Sequence, residues 1–254
     1  DGLRRRAEAA GVSIHTGIRV TDIASSGVGP HTITVASGSG TARGHRRIAA
    51  GDVVIATNGY TDRVAPWHRE RIVPMSSTIL GLERLGRERV EALLPAMTAV
   101  IDTNRVIVYV RPTPDGEGIL FGGRARFRPV STATSARILY DQMLEIFPTL
   151  ADVKITNAWS GLMAFTVDYL PKLGVRDRVH YVLGCNGGSG VVLMPWLGRA
   201  VGRRIAGTDD PTQPMSSLAG IPFERQPLGE HTSKLVAAAG VWYHLRDRID
   251  AVRP

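Results

Sequence analysis

Cysteine is almost absent: Cys185 is the only one in 254 residues. A single thiol excludes an internal disulfide framework and any cysteine-based zinc cluster. Long apolar runs are missing as well. No stretch approaches the ~18 uninterrupted apolar residues of a membrane-spanning helix. The opening residues, Asp1-Gly2-Leu3-Arg4-Arg5-Arg6, are a charged, helix-like run without the apolar core of a secretory signal. These absences predict a soluble, cytoplasmic protein with no membrane span. The histidines, His15, His31, His45, His68, His180, His231 and His244, lack metal-ligand spacing, so no metal site is expected. The chain also lacks an initiator Met and opens as if inside a helix, which leads us to expect a piece of a longer protein.

Positive charge is plentiful, at a net +8, but it is scattered and nearly all arginine. The dense runs are Arg4 to Arg6 and Gly44-His45-Arg46-Arg47, and neither interleaves aromatic residues that could stack bases. A solvated basic surface is therefore expected in place of a nucleic-acid site. With 43% apolar and 21% charged residues, the chain can bury a sizeable core.

Residues 1–10 suit a helix closed at Gly11, where a missing side chain favours the left-handed turn. Strands are predicted at Val12 to His15, Ile18 to Ile23, Thr32 to Val35 and Asp52 to Ala56. The last is apolar on both faces, as in a parallel sheet covered by helices. The run Gly38-Ser39-Gly40-Thr41-Ala42-Arg43-Gly44 looks like a phosphate loop but leads into a strand, not a helix, and reads as a hairpin connection. After Pro66 the pattern becomes that of an antiparallel sheet: Arg71 to Leu80, Arg105 to Val110 and Gly118 to Phe121, with a turn at 112–116 joining the last two. A helix is predicted from Thr132 to Phe147, stopped by Pro148, and a strand from Val153 to Trp159. Near the end, Leu235, Ala238, Trp242, Leu245 and Ile249 form one helical stripe, expected to dock on the protein's own core.

The sharpest chemical signal is Gly184-Cys185-Asn186-Gly187-Gly188-Ser189-Gly190, between the strand at 180–183 and the helix from Val191 to Ile205. Four glycines in seven residues allow close backbone approach, and the helix start directs unpaired amides and a positive dipole end at a ligand. An anion or an electron-rich carbonyl suits such a site. The spacing is not the G-x-G-x-x-G dinucleotide fingerprint, so it does not name the ligand.

Four ordered motifs do. Gly51-Asp52-Val53-Val54-Ile55-Ala56-Thr57-Asn58-Gly59 is similar to the A-D-x-V-V-x-A-x-G strand of flavoprotein oxidoreductases. Tyr109-Val110-Arg111-Pro112-Thr113-Pro114-Asp115-Gly116, followed by Phe121-Gly122-Gly123, resembles their substrate-domain hairpin. Trp159-Ser160-Gly161 through Thr166, Asp168, Pro171 and Gly174 resembles their W-x-G…T-x-D-x-x-P-x-x-G segment, and the loop 184–190 resembles their carboxy-terminal flavin motif. The chain thus resembles FAD-dependent oxidoreductases of the D-amino acid oxidase-like superfamily, with the amino-terminal G-x-G-x-x-G part missing.

The resemblance implies an α/β fold, α+β overall: a Rossmann-like FAD-binding domain built from discontinuous segments, joined to a substrate domain with a large antiparallel sheet. Residues 1–65 and 175–207 would belong to the FAD-binding domain, 66–174 to the substrate domain, and 208–254 to a tail. It implies FAD as cofactor and oxidation of the carbon beside an amine, with Val20, Thr57, Asn58, Gly59, Gly187, Gly188, Ser189, Gly190 and Val191 beside the cofactor. Tyr109 and Arg111 are read either as a substrate-facing pair, with the guanidinium forking a carboxylate, or as a surface strand pair. Trp159 suits a pocket wall or, more in keeping with large aromatics, core packing.

Met163 occupies the position just after W-x-G-L, where relatives that oxidise glycine-like substrates carry an arginine. That points away from a simple α-amino acid and towards an amine, an N-substituted amino acid or a γ-glutamyl polyamine. Cys185 is read as a small buried residue in preference to a covalent flavin anchor. Two other readings remain at this level: flavin-dependent oxidation of a hydroxy acid or glycerol phosphate, and a non-catalytic nucleic-acid or protein-binding module.

Overall fold

Helix α1 (Gly2–Ala9) ends as the sequence predicts: Gly11 takes φ 89° and the Val12 amide returns to the Ala7 carbonyl at 3.0 Å. The structure is a computed structural model that describes residues 2–25, 27–37, 44–124, 130–185, 190–208, 218, 220–227 and 232–251. Residues 12–16 are not a strand, contrary to expectation; they are exposed and irregular. Alternation alone does not make a strand when no described partner lies alongside to take its backbone hydrogen bonds.

Strands β1 (Ile18–Ala24), β2 (His31–Ser37) and β3 (Gly44–Ala50) form an antiparallel meander. The β2–β3 register closes at Ser37 opposite Gly44, as a hairpin requires, and the connecting residues 38–43 lie outside the described residues. β4 (Val53–Ile55) pairs in parallel with β11 (Val179–Leu183), which pairs antiparallel with β10 (Lys172–Arg176). β4 is not covered on both faces: Val53 and Ile55 are buried, whereas Val54 is 42% exposed. The expected domain boundary at 174 falls inside β10, which pairs with β11 along its whole length. The short helix α2 (Pro66–Arg69) follows β4.

The largest sheet holds β5 (Val73–Leu82), β6 (Val100–Ile101), β7 (Val108–Pro112), β8 (Ile119–Gly123) and β9 (Ile155–Phe165), antiparallel in the order β6-β7-β8-β5-β9. Helix α3 (Arg87–Leu93) lies between β5 and β6 in the chain. β7 starts three residues later than predicted, because the amides of Arg105, Val106 and Val108 are taken by the carboxylates of Asp247 and Asp102. β9 runs six residues past the predicted end at Trp159, pairing with β5 all the way to Phe165 opposite Val73.

One face of this sheet is closed. Leu80, Leu82, Val108, Val110, Ile119 and Phe121 meet Leu139 and Met143 of α4 (Thr132–Ile146) in the main core. The Ser131 hydroxyl caps that helix by accepting from the Thr134 amide at 3.1 Å. Each such leucine, fully buried, contributes about 1.5–3 kcal/mol. Period-two alternation then sends the intervening residues to the opposite, uncovered face.

Helix α5 (Gly190–Ile205) packs Leu197 and Val201 against Leu173 and Val182. The final helix, Thr232–Ala251, does not bury the described large residues of its predicted stripe: Trp242 is 55% exposed, Leu245 52% and Ile249 39%, while the side chain of Leu235 lies outside the described ones. It is held instead by Asp247 and Asp250, both paired with Arg105. Among the described residues no helix is long and apolar enough to cross a membrane.

Candidate active site

β4 and β11 run parallel, and the loops after them emerge on the same side, the position where ligands bind in open α/β sheets. After β4, Thr57 leads into a one-turn 3-10 helix, Asn58–Tyr60. Asn58 sits at φ 44°, in the left-handed region that asparagine tolerates better than most residues. Its side-chain oxygen accepts from the amides of Gly184 at 3.1 Å and Cys185 at 3.4 Å, which fastens the two loops together. The Thr57 and Thr61 hydroxyls are 2.8 Å apart, and Thr61 donates to the Asn58 carbonyl at 2.7 Å, bracing the turn.

The same turn meets the large sheet. A Cβ on Gly59 would lie 2.7 Å from the carbonyl carbon and oxygen of Leu162, so only glycine fits. β9 is an edge strand, and its outward Leu162 amide donates to the Tyr60 hydroxyl at 3.1 Å. Behind the turn, Gly184 at φ 78° leans on Thr166, whose Cγ2 would be 2.5 Å from an added Cβ. Thr166 donates to the Leu170 carbonyl at 3.0 Å. Asp168 accepts from the Leu170 amide and pairs with Lys172, which is nearly fully buried and also donates to the Pro222 carbonyl at 2.8 Å. Burial would raise the Asp168 carboxyl, but the bonds from Lys172, Leu170 and Thr166 outweigh it and leave it below the ordinary value. The T-x-D segment thus scaffolds the loop after β11.

On the uncovered face of the large sheet, register places Tyr109, Gly122, Ile79 and Trp159 in one row. The Tyr109 ring lies flat across Gly122, where a Cβ would come within 2.2 Å of it, and its hydroxyl reaches Ser77 at 2.9 Å. Arg111 is on the same face and exposed. Met163 pairs with Met75 two residues beyond Gly161, on that face too. Trp159 is 45% exposed, so it does not pack in the core as expected: its position on β9 turns it away from α4. Tyr109, Arg111, Trp159 and Met163 therefore share one open surface.

The structure brings Thr57, Asn58 and Gly59 to the loop after β11. Gly190 opens α5, and the next residues, Val191 and Val192, are 84% and 76% exposed. Gly187, Gly188 and Ser189 lie outside the described residues. Val20 is the third residue of β1 and is 39% exposed; Arg19 beside it pairs with Asp62 at 2.9 Å, linking β1 to the chain just after the 3-10 turn. Cys185 is buried, and burial pushes its thiol up, which keeps it protonated and unreactive. Among the described residues no group of three or more His, Cys, Asp and Glu could hold a metal ion.

Sequence reasoning overlooked Tyr60, Phe165 and Arg124. Arg124 follows Gly122 by two residues, so alternation places it on the open face, where its guanidinium carbon lies 4.8 Å from the centre of the Phe165 ring. Period counting extended past Gly123 would have found it.

Comparison with known proteins fits this geometry. Gamma-glutamylputrescine oxidoreductase of Escherichia coli (strain K12) is 28% identical over 212 residues, which is 82% of this chain and 48% of that protein. Probable oxidoreductase OrdL of Rhizobium meliloti (strain 1021) is 30% identical over 248 residues, 97% of this chain and 54% of that protein. Glycine oxidase from Geobacillus kaustophilus shares the fold, with a TM-score of 0.61 at 20% identity, over 85% of this chain and 55% of that one. The chain spans about half the length of the curated relatives it matches. Matched over residues 1–204, the chain belongs to the DAO family of FAD dependent oxidoreductases.

Proposed function

We propose that the whole protein oxidises a C–N bond of an amine or N-substituted amino acid, and that this chain supplies the substrate wall and part of the flavin site. The observation that carries the reading is the join between the two: the turn Asn58–Tyr60 clasps the loop after β11 on one side and the edge of the sheet bearing Tyr109, Trp159 and Met163 on the other. In this reading residues 1–65 and 175–207 serve the cofactor, 66–174 the substrate, and 208–254 form a tail.

The residues present fit FAD. The ends of two parallel strands meet there, a helix begins at Gly190, and the exposed Val191, Val192 and Tyr60 offer apolar surface to a planar ring. Thr57, Asn58, Gly59, Gly187, Gly188, Ser189, Gly190 and Val191 would line its ring system, with Val20 towards the adenine. FAD supplies the acceptor for a hydride. The chain's share is electrostatic and steric. Amides and dipole at the start of α5 favour negative charge beside them. Tyr109 and Trp159 present aromatic faces to the substrate, while Met163 keeps the wall apolar and favours the neutral, reactive amine. An aromatic wall in place of a phosphate-sized arginine cluster supports an amine over a glycerol phosphate. A cytoplasmic setting, where the lone thiol stays reduced, belongs to the same reading.

The test is the visible spectrum of the purified full-length protein, followed by anaerobic addition of amines. Flavin bands that bleach with an amine support the reading. A colourless protein that takes up no added FAD overturns it.

A further inference from the structure

Arg124 stands immediately beyond β8, half-buried, on the open face of the large sheet. Its guanidinium stacks on Phe165, and its electrostatic neighbours are the phenols of Tyr109 and Tyr169, not carboxylates. No described residue accepts a hydrogen bond from it or pairs with it. Arg71, also partly buried, provides the contrast: its guanidinium donates to the carbonyls of Phe223 at 2.9 Å and Trp67 at 2.7 Å. A desolvated cation without an acceptor is costly, and the cost is recovered when a ligand brings the missing anion. The Phe165 ring beneath the guanidinium carbon, 4.8 Å away, holds the group on the open face, and a guanidinium suits two parallel bonds to a planar anion. Burial lowers its proton affinity and the phenols oppose that, but an arginine remains cationic throughout.

We propose that Arg124 binds the carboxylate of the substrate, so that the substrate is an amine bearing a carboxylate and not a plain alkyl amine. The inference rests on the amine-oxidation reading above and narrows its substrate class. It also accounts for Met163: with the cation supplied from β8, the position after Leu162 is free to be apolar.

The experiment uses the FAD-loaded full-length protein and the variants Arg124→Met and Arg124→Lys. Acetate and acetamide serve as dead-end probes, followed by calorimetry and the flavin difference spectrum. N-methylglycine and dimethylamine serve as the substrate pair. The expected result is that acetate binds and acetamide does not, that Arg124→Met weakens acetate at least ~10-fold, and that Arg124→Lys recovers part of the loss because it keeps charge without the fork. For whichever carboxylate amine turns over, Arg124→Met raises KM with kcat much less affected. Equal binding of acetate by wild type and Arg124→Met, or loss of FAD in place of acetate, overturns the assignment. Should Arg124→Met fail to fold, Arg124→Gln gives the same comparison with a polar side chain. Failure of the parent reading looks different: no amine of either kind bleaches the flavin, whatever acetate does.

Discussion

The side-chain oxygen of Asn58 takes the amides of both Gly184 and Cys185, so one carboxamide ties together the loops at the ends of β4 and β11. Replacing Asn58 with Ala removes the acceptor and puts a less tolerant residue at φ 44°. The expected loss is about 1–3 kcal/mol of stability in urea denaturation, the cost of removing the acceptor of two buried hydrogen bonds, together with weaker FAD retention. Asn58→Asp keeps an oxygen acceptor and should retain most of both. Equal stability of the Ala and Asp variants would show that the clasp is idle.

Gly59 and Gly161 make a matched pair at the same junction. A methyl on Gly59 meets the Leu162 backbone at 2.7 Å, and backbone yields at a cost, so Gly59→Ala should destabilise by about 1–3 kcal/mol. A methyl on Gly161 finds its nearest neighbour, the Tyr60 hydroxyl, at 3.7 Å, and Gly161→Ala should be close to neutral. Chemical denaturation of the two variants side by side decides the matter; equal losses would mean that the turn does not press on β9.

His68 sets an acid limit. It is buried among Trp67, Tyr181, Arg71 and Arg176, and its Nε2 has no hydrogen-bond partner among the described residues. Burial first, then repulsion from Arg176 and Arg71, pushes its pKa from 6.5 down to about 4. Because the unfolded chain takes up the proton first as pH falls, stability declines between 6.5 and about 4. The full effect is on the order of 3 kcal/mol. His68→Phe keeps a ring and removes the proton, so its denaturation midpoint should fall less than that of wild type over this window. Parallel pH profiles would contradict this assignment.

Much of this was legible in the sequence, for physical reasons that also explain the failures. α4 announced itself through an apolar face and Pro148, both local signals, while its Ser131 cap emerged only in the structure. The β2–β3 hairpin followed from a glycine-rich break between two alternating runs. The proximity of Asn58 to Gly184 was implied by the family motifs, but the bond itself depends on a left-handed backbone that composition does not reveal. Trp159 was misjudged because size favours burial on average, whereas the face a strand residue occupies is set by register with β5, a long-range property. Val12 to His15 failed for the same reason: alternation expresses a preference that only a partner strand can realise. Arg124 was passed over because its significance lies in the lack of an acceptor among the described residues around it, a long-range property.

The final helix was misread in the opposite direction, and that error yields a test. Its apolar stripe suggested hydrophobic docking, yet Trp242 and Leu245 are more than half exposed, so little burial holds it. What holds it is Asp247, whose side chain is 13% exposed: it accepts from the Arg105 amide at 3.1 Å and the Val106 amide at 3.0 Å, and pairs with the Arg105 guanidinium at 3.0 Å. Burial would raise this carboxyl, but the two amides and Arg105 outweigh it and leave it below the ordinary carboxylate value. The clamp is therefore present above the unfolded pKa and is lost as pH falls through the lowered one. Asp247→Ala removes three hydrogen bonds at once and leaves two amides without their acceptor. Amides of residues 232–251 should lose hydrogen-exchange protection, while those of the main core around Leu139 and Phe121, which do not depend on the clamp, keep theirs. Unchanged protection in the final helix would mean that its apolar side, not this carboxylate, holds it in place.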